Sequence, residues 1–180
     1  MVGSSFAVLV AEELFASGCR LLVSLTSAGQ IVPSGPPPYF VIIDRALRDE
    51  GTSYHYAPPA EFAPADGRLV ATASKAMSSL KPRCVVGSSW TTDAPFRETA
   101  EAIKAARDKG ILAVEMEAAA LYTFARAAGV RVLCLAHVTN TMGQSGDDFE
   151  KAAGTNEALA VLDKIVGAFC AEASDLLAAR

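Results

Sequence analysis

The sequence predicts an α/β fold with three layers, helix–sheet–helix, built around a mixed, mainly parallel central sheet. Short apolar runs alternate along the chain with longer segments that repeat apolar residues at helical spacing. Several runs, such as residues 130–138, are apolar at nearly every position, which is typical of parallel strands buried on both faces. Hydrophobic residues form 51% of the 180-residue chain, which is enough for the core of one domain covering residues 1–180.

The first half of the chain opens on a helix rather than a strand. Residues 4–17 carry an apolar stripe that includes Phe6, Val10 and Leu14, and Gly18 follows as a stop signal. The predicted segments are then a strand at 20–25, a turn-rich stretch at 27–38, a strand at 39–45, an irregular loop at 46–60 and a helix at 65–80.

The second half continues the alternation and ends on a long amphipathic helix. A mostly apolar helix at its centre stops at Gly129, a residue type that commonly ends helices. The predicted segments are a strand at 83–89, a helix at 97–109, a strand at 111–114, a helix at 115–128, a strand at 130–138, a polar loop at 141–150 and a helix at 153–178.

Charge and composition argue against several classes of function. The net charge is −4 at pH 7, so no basic field attracts nucleic acid. We interpret the four cysteines as reduced core thiols, and the two histidines are too few for a zinc site. No apolar run is long enough to span a membrane, and residues 1–18 do not resemble a secretory signal. We therefore expect a cytoplasmic protein without a bound metal.

Two carboxylates stand at the predicted start of the helix 115–128. A helix N-terminus stabilises negative charge by roughly 0.3–1 kcal/mol, so Glu115 and Glu117 have a purely structural interpretation. Their neighbours Val114 and Met116 are apolar, however, and a carboxylate in apolar surroundings needs hydrogen-bond donors. The vicinal hydroxyls of a ribose would supply them, with Met116 flat against the sugar. The residues alone leave both interpretations open.

The segment Val114-Glu115-Met116-Glu117-Ala118-Ala119-Ala120 resembles the sugar-binding motif of the nucleoside phosphorylase and nucleosidase family. This family contains uridine phosphorylase, the hexameric purine nucleoside phosphorylase and methylthioadenosine nucleosidase. The resemblance implies a phosphorylase-like fold in which Glu117 binds the ribose hydroxyls. It also implies that Met116 packs on the sugar and that Glu115 is a supporting charge of the ribose site.

Five further segments resemble motifs of this family, in the same order along the chain. They correspond to its glycine loop and Glu-Glu-Leu helix, its phosphate loop, a uridine phosphorylase loop, its base-contacting segment and the strand end beside the base. In this chain they are Gly3–Leu14, Leu25–Gly29, Gly51–Tyr56, Thr91–Arg97 and Val138–Asn140. The resemblance further implies an N-terminally truncated fold that lacks the family's first strands and exposes an apolar surface.

Phosphate binding falls, by resemblance, to Gly3 and Ser27. A hydroxyl and backbone N–H groups at a strand end can bind an anion, although a serine shortly before Gly29 is also a common turn residue. Phosphorylases carry an arginine three residues before this serine, where this chain has Ser24. Nucleosidases, which use water, also lack that arginine. Phosphate and water therefore both stay open as the nucleophile.

Base recognition is predicted at two places. Thr92, Phe96 and Arg97 belong to the base-contacting segment, although Pro95 and the residues after it also fit a solvated helix start. Asn140 stands at the strand end beside the base. An amide cannot act as an acid, and uridine phosphorylases resemble this chain in having asparagine there. This favours uridine or an oxo-purine nucleoside as the substrate.

Four other residues receive structural or peripheral interpretations. We interpret His137 as a buried strand histidine that is hydrogen-bonded locally. We interpret Trp90 as a packing residue, with a place at the border of the pocket as the alternative. Arg48 and His55 are expected near a subunit interface, where this family builds shared active sites.

These features predict an enzyme that cleaves the N-glycosidic bond of a ribonucleoside, with phosphate as co-substrate and no other cofactor. Glu117 and Asn140 are the predicted catalytic residues. Two alternatives stay open: a phosphate-independent nucleosidase, and a truncated nucleoside-binding remnant with little turnover. The resemblance implies a homo-oligomer, a dimer or a hexamer, whose partners are a nucleoside and phosphate rather than nucleic acid or a membrane.

Overall fold

Helices and strands alternate along most of the chain in the computed structural model, which describes residues 2–78, 83–141 and 155–178, without the side chains of 140, 141, 155 and 173–178. The helices are α1 (Ser4–Ala16), α2 (Gly67–Met77), α3 (Ala100–Asp108), α4 (Ala118–Ala128) and α5 (Thr155–Ala178). The strands are β1 (Leu22–Gln30), β2 (Tyr39–Asp49), β3 (Phe62–Pro64), β4 (Cys84–Thr92), β5 (Ala113–Glu115) and β6 (Val132–Thr141). Within these ranges, no helix combines the length and the apolarity needed to cross a membrane.

The strands form one mixed sheet in the order β3–β2–β4–β5–β1–β6. Parallel pairing joins β1 to β6, β2 to β4 and β4 to β5, and the first two ladders are the longest in the sheet. Antiparallel pairing joins β1 to β5 and β2 to β3. In addition, β2 pairs antiparallel with β6, so the sheet closes on itself. The mixed, mainly parallel sheet confirms the predicted fold class.

Helices cover both faces of the sheet because successive side chains of a strand point to opposite faces. Val41 and Ile43 of β2 belong to a core that also contains residues of α1 and α4. Phe40 and Ile42, which alternate with them, belong to a second core with α2 and α5. The resulting helix–sheet–helix arrangement agrees with the three layers that the sequence predicts.

The strands β1 and β2 each extend at least four residues beyond their predicted ends because distant segments pair with them there. The predicted turn-rich stretch 27–38 begins inside β1, whose residues Gly29 and Gln30 pair with both β5 and β6. The predicted loop 46–60 begins inside β2, which pairs with β3 from Arg45 to Leu47. The sequence does not predict β3 at all. Local patterns do not reveal these pairings, since strand formation depends on neighbours that are remote in the chain.

The helix predicted at 115–128 begins later than expected, at Ala118. Glu115 lies in β5 and pairs with Thr91 of β4. The expectation that Glu115 and Glu117 share the first turn of a helix is therefore wrong. Pairing with β4 keeps the backbone extended through Glu115, and the helix starts only after Glu117, which takes the N-cap position.

Two other predictions concern the periphery of the molecule. Cys170 is exposed, so the interpretation of all four cysteines as core thiols is wrong, because Cys170 lies on the outer side of α5. The loop predicted at 141–150 lies outside the described residues except for Thr141, the last residue of β6. Val2, just before α1, and Phe6 and Leu9 on α1 are 74%, 51% and 54% exposed; the expected surface left by missing strands stays a prediction.

A buried tyrosine joins the two strands that close the sheet. The β2–β6 ladder ends at Ile42 and Leu135. Beyond this rung the phenol of Tyr122, on α4, donates to the carbonyl of Ile43 at 2.6 Å and accepts from the N–H of Cys134 at 3.0 Å. The hydroxyl thus satisfies one backbone group on each strand where the strands no longer pair with each other.

We predict that Tyr122→Phe lowers the free energy of unfolding by about 1–3 kcal/mol, because it leaves buried backbone groups of two strands without a partner. Chemical denaturation of the wild type and the variant measures the loss. Tyr54→Phe is the matched control, since Tyr54 is 47% exposed and its replacement should cost less than about 0.5 kcal/mol. Equal losses for the two variants would contradict the bridging role of Tyr122.

Candidate functional site

The register of the sheet brings four of the predicted motifs together. Gly29 of β1 lies between Val114 of β5 and Asn140 of β6. Ser27 stands two residues before Gly29 and is exposed. Glu115, in turn, pairs with Thr91 at the end of β4. The segments that resemble the phosphate loop, the sugar motif, the base-contacting segment and the last strand thus meet in one region. The side chain of Asn140 itself lies outside the described residues.

The carboxylate of Glu115 is buried and surrounded by hydrogen-bond donors. One oxygen, Oε2, accepts from the backbone N–H groups of Glu117 and Ala118, both at 2.7 Å. The other, Oε1, accepts from the hydroxyls of Ser89 at 3.0 Å and Thr91 at 2.5 Å. Glu115 therefore caps α4 from within a neighbouring strand and ties that helix to β4. Its predicted contact with a ribose stays a prediction, while its supporting role has a clear geometric basis.

Glu117 is the second carboxylate of the motif, 4% exposed at the N-cap of α4. Its Oε1 accepts from the backbone N–H of Gly3 at 2.7 Å, and its Oε2 accepts weakly from the N–H of Met116 at 3.3 Å. Each carboxylate oxygen has two lone pairs, so both oxygens keep capacity for a further donor. The N–H of Gly3, predicted to bind phosphate, is thus directed at the carboxylate of Glu117.

Three residues make contacts in this site that the sequence does not predict, although Ser4 and Thr91 belong to segments that resemble family motifs. Ser4, at the start of α1, donates to the carbonyl of Met116 at 2.7 Å. Ser89 and Thr91 direct their hydroxyls to Glu115, and Thr91 also accepts from the N–H of Ala119 at 2.9 Å. The spacing of Ser89 and Thr91, two residues apart in one strand, places them on the same face and was a usable signal. The contact of Ser4 had no such signal.

The residues predicted to contact the base fall into two groups. Thr92 is buried, and its Oγ1 accepts from the N–H of Ala94 at 3.1 Å. Phe96 and Arg97 lie in the short 3-10 helix Pro95–Arg97, where Phe96 is 84% exposed. Among the described residues, no side-chain hydrogen bond or ring contact joins Phe96 or Arg97 to the glutamates. Thr92 directly follows Thr91, the strand partner of Glu115, but the hydrogen bond that its hydroxyl makes is local.

His137 pairs with Ser27 across the β1–β6 ladder. Its ring stacks on Phe40 with centroids 4.4 Å apart and planes 5° apart. The buried Nε2 has no hydrogen-bond partner in the part of the chain that the structure describes, so the expectation of a locally satisfied histidine is wrong there: its ring contact is with an apolar ring. Burial lowers the pKa of His137, opposed by the charge of Glu157, so the imidazole is neutral at pH 7.

Trp90 and Arg48 have structural contacts. Trp90 is 4% exposed and donates from Nε1 to Asp49 at 2.9 Å, which confirms it as a packing residue. Arg48 is buried and donates to Ser53 Oγ at 2.8 Å and to the carbonyl of Pro58 at 2.7 Å. It therefore anchors the loop that follows β2. Its predicted place near a subunit interface stays a prediction, as does that of the exposed His55.

A pocket of about 440 Å³ opens between that loop, β3 and the second half of α4. Its walls include Arg48, Tyr56 and Arg126. None of the residues predicted to bind ribose, base or phosphate lines it. The sugar motif therefore lies outside this cavity, and the site is identified by its donors and acceptors rather than by a large pocket.

We predict that Glu115 makes stability fall with rising pH. Burial raises the pKa of Glu115 to about 7, against the opposing hydrogen bonds from Thr91 and the backbone, whereas an unfolded glutamate has a pKa of about 4.3. The folded state therefore binds the proton of the Glu115 carboxyl group more tightly than the unfolded state does. Its contribution of about 4 kcal/mol is therefore full below pH 4 and is lost as the pH rises through 7.

Urea unfolding of the wild type and of Glu115→Gln between pH 4 and pH 8 measures this contribution as the difference between the two curves. Glu98→Gln is the second variant, because burial also raises the pKa of the half-buried Glu98 to about 7 and its own contribution has to be separated from that of Glu115. The prediction fails if Glu115→Gln shows the same pH dependence as the wild type.

The sequence model of the phosphorylase superfamily matches residues 1–177. The chain is 29% identical to the uridine phosphorylase of Thermococcus kodakarensis over 182 residues, which cover 89% of this chain and 64% of that protein. It is also 29% identical to a DeoD-type purine nucleoside phosphorylase of Bacillus cereus, covering 87% of this chain and 68% of that protein. The chain thus spans about two thirds of the length of these relatives.

Solved structures give the same fold. The AMP nucleosidase of Bacteroides thetaiotaomicron superposes with a TM-score of 0.80 at 20% identity, covering 95% of this chain and 72% of that one. The uridine phosphorylase of Vibrio fischeri superposes with a TM-score of 0.73 at 23% identity, covering 93% of this chain and 65% of that one. With the family match across nearly the whole sequence, these findings show that the chain belongs to the phosphorylase superfamily.

Proposed function

We propose that this protein cleaves the N-glycosidic bond of a ribonucleoside with phosphate, releasing the free base and ribose 1-phosphate. The observation that carries this proposal is the buried carboxylate of Glu117. It lies beside Met116, is held by the N–H of Gly3 at 2.7 Å, and keeps lone pairs for two further donors. The 2′- and 3′-hydroxyls of a ribose can supply these two donors. The similarity to uridine and purine nucleoside phosphorylases supports the same class of substrate.

The reaction that we propose passes through a transition state that resembles an oxocarbenium ion at C1′. Glu117 and Met116 fix the sugar, so that the nucleophile meets C1′ in a defined geometry. Ser27 and the loop at Gly3 are the proposed phosphate contacts, with Ser27 supplying a hydroxyl at its strand end. For Gly3, whose N–H donates to Glu117 in this structure, the assignment requires that bond to be exchanged for one to phosphate.

The departing base carries away the electron pair of the broken bond, and donors aimed at it stabilise the charge that develops. We assign this role to Asn140, Arg97 and Thr92, with Phe96 stacking on the base. For the exposed Phe96 and Arg97, this assignment requires the segment to move toward the sugar motif when a nucleoside binds. An amide at Asn140 suits a carbonyl-bearing base, so uridine and inosine are the substrates that we propose to test first.

A second candidate function is hydrolysis, and one residue favours it. Position 24 on β1 is a serine, so the strand lacks the cationic side chain that would favour a phosphate dianion at this place. Water needs no such charge. A nucleoside-binding remnant with little turnover is the third possibility, and binding without product formation identifies it. For all three we propose a homo-oligomer without a cofactor, with the nucleoside as partner and, for the first, phosphate as well.

We predict that Glu117→Ala reduces kcat/KM for uridine or inosine by about 100-fold or more, because the sugar loses its main acceptor. Chromatographic detection of the released base measures the rate. Glu101→Gln, an exposed carboxylate on α3, is the control and should leave kcat/KM unchanged. A Glu117→Ala variant with near wild-type kcat/KM would sink the assignment of the ribose site.

The choice of nucleophile has its own test. We predict that base release by the wild type depends on inorganic phosphate and yields ribose 1-phosphate in equal amount. Phosphate forms a bond to C1′ as the bond from C1′ to the base breaks, so each released base leaves one ribose 1-phosphate. The assay compares phosphate-free buffer with added phosphate and quantifies both products. Free ribose formed at the same rate without phosphate would instead establish the hydrolase.

A further inference from the structure

Residues at the N-terminus of α1 bind the sugar motif through two hydrogen bonds. Ser4 is 0% exposed, and its Oγ donates to the carbonyl of Met116 at 2.7 Å. The preceding N–H, of Gly3, donates to Oε1 of Glu117 at 2.7 Å. Two consecutive residues of one segment thus bind two consecutive residues of another that is more than a hundred positions away. We call this pair of hydrogen bonds the α1 clasp.

Packing between α1 and α4 keeps the clasp in place. Ala7 and Ala11 on α1 and Ala118 on α4 share one buried core, and such small side chains let the two helices approach closely. At the far end of the pair, the rings of Phe15 and Phe124 lie 6.0 Å apart. The start of α1 is therefore fixed relative to the start of α4 by contacts along both helices, rather than by the clasp alone.

The two bonds of the clasp have different consequences. The bond from Gly3 takes one lone pair of the Glu117 carboxylate. The bond from Ser4 takes none, because it ends on the peptide carbonyl between Met116 and Glu117. It therefore sets the orientation of that peptide plane, and with it the direction in which the side chain of Glu117 leaves the backbone.

We propose that Ser4 is a positioning residue that aims the carboxylate of Glu117 at both vicinal hydroxyls of the sugar, and so sets a preference for ribonucleosides over 2′-deoxyribonucleosides. This inference rests on the function proposed above. A carboxylate can accept hydrogen bonds from two hydroxyls at once only in a narrow range of orientations. A carboxylate that accepts from a single hydroxyl tolerates a wider range. Loss of the Ser4 bond should therefore penalise the ribonucleoside more than its 2′-deoxy counterpart.

The test compares Ser4→Ala with the wild type on uridine and 2′-deoxyuridine, and on inosine and 2′-deoxyinosine. We expect kcat/KM for the ribonucleoside to fall about tenfold, since small misplacements of a binding group carry costs of that order. The 2′-deoxyribonucleoside should change less than about threefold. Thr123→Val is the matched control, because the hydroxyl of the buried Thr123 also donates to a backbone carbonyl, that of Ala119 within α4, at 2.6 Å. That control should leave the preference unchanged.

A second variant keeps the inference open to refutation if Ser4→Ala does not fold. Ser4→Cys retains a small side chain with a weaker donor, and its preference should lie between those of Ser4→Ala and the wild type. Equal losses on both sugars, or the same change in Thr123→Val, would overturn the positioning role while the proposed function stands. Absence of turnover and of nucleoside binding in the wild type would overturn both.

Discussion

The buried carboxylate of Glu115 is the interaction on which the candidate site depends. Four donors converge on its two oxygens, from two hydroxyls of β4 and two N–H groups at the start of α4. Removing the carboxylate would leave buried donors without acceptors on both elements, at a cost of about 1–3 kcal/mol for each such group. A short strand, a neighbouring strand and a helix are therefore held in one arrangement by a single side chain.

That arrangement separates the tasks of two neighbouring carboxylates. Both oxygens of Glu115 accept hydrogen bonds from the protein itself, and burial raises the pKa of Glu115 to about 7. Glu117, two residues later, receives one strong hydrogen bond from Gly3 and one weak one from Met116, so it can accept from a ligand. Two adjacent buried carboxylates repel each other, and the donors around Glu115 together with its raised pKa reduce that cost. The motif thus combines one acid whose oxygens are occupied by the protein and one that keeps lone pairs for a further donor.

The same region joins parts of the chain that are remote in sequence. The start of α1 contacts the segment before α4, β1 lies between β5 and β6, and Tyr122 bridges the strands that close the sheet. Movement of α1 would therefore reach Glu117 directly, through Gly3. The nucleoside site that we propose at this junction is supported by the core packing of alanines between α1 and α4, since dense packing resists small displacements.

Much of this protein follows from local sequence. Apolar periodicity alone predicts the α/β class and most helices. A helix buried on one face and a strand buried on both faces each have a characteristic spacing of apolar residues within a single segment. The family resemblance identifies Glu117 because its motif is contiguous. Tertiary structure decided the rest. Glu115 is a strand residue because β4 pairs with it, the strand β3 exists because β2 accepts it, and Ser4 joins the site because α1 packs on α4. Each depends on partners brought close only by folding, and hydrogen bonds between distant segments leave no local pattern to read.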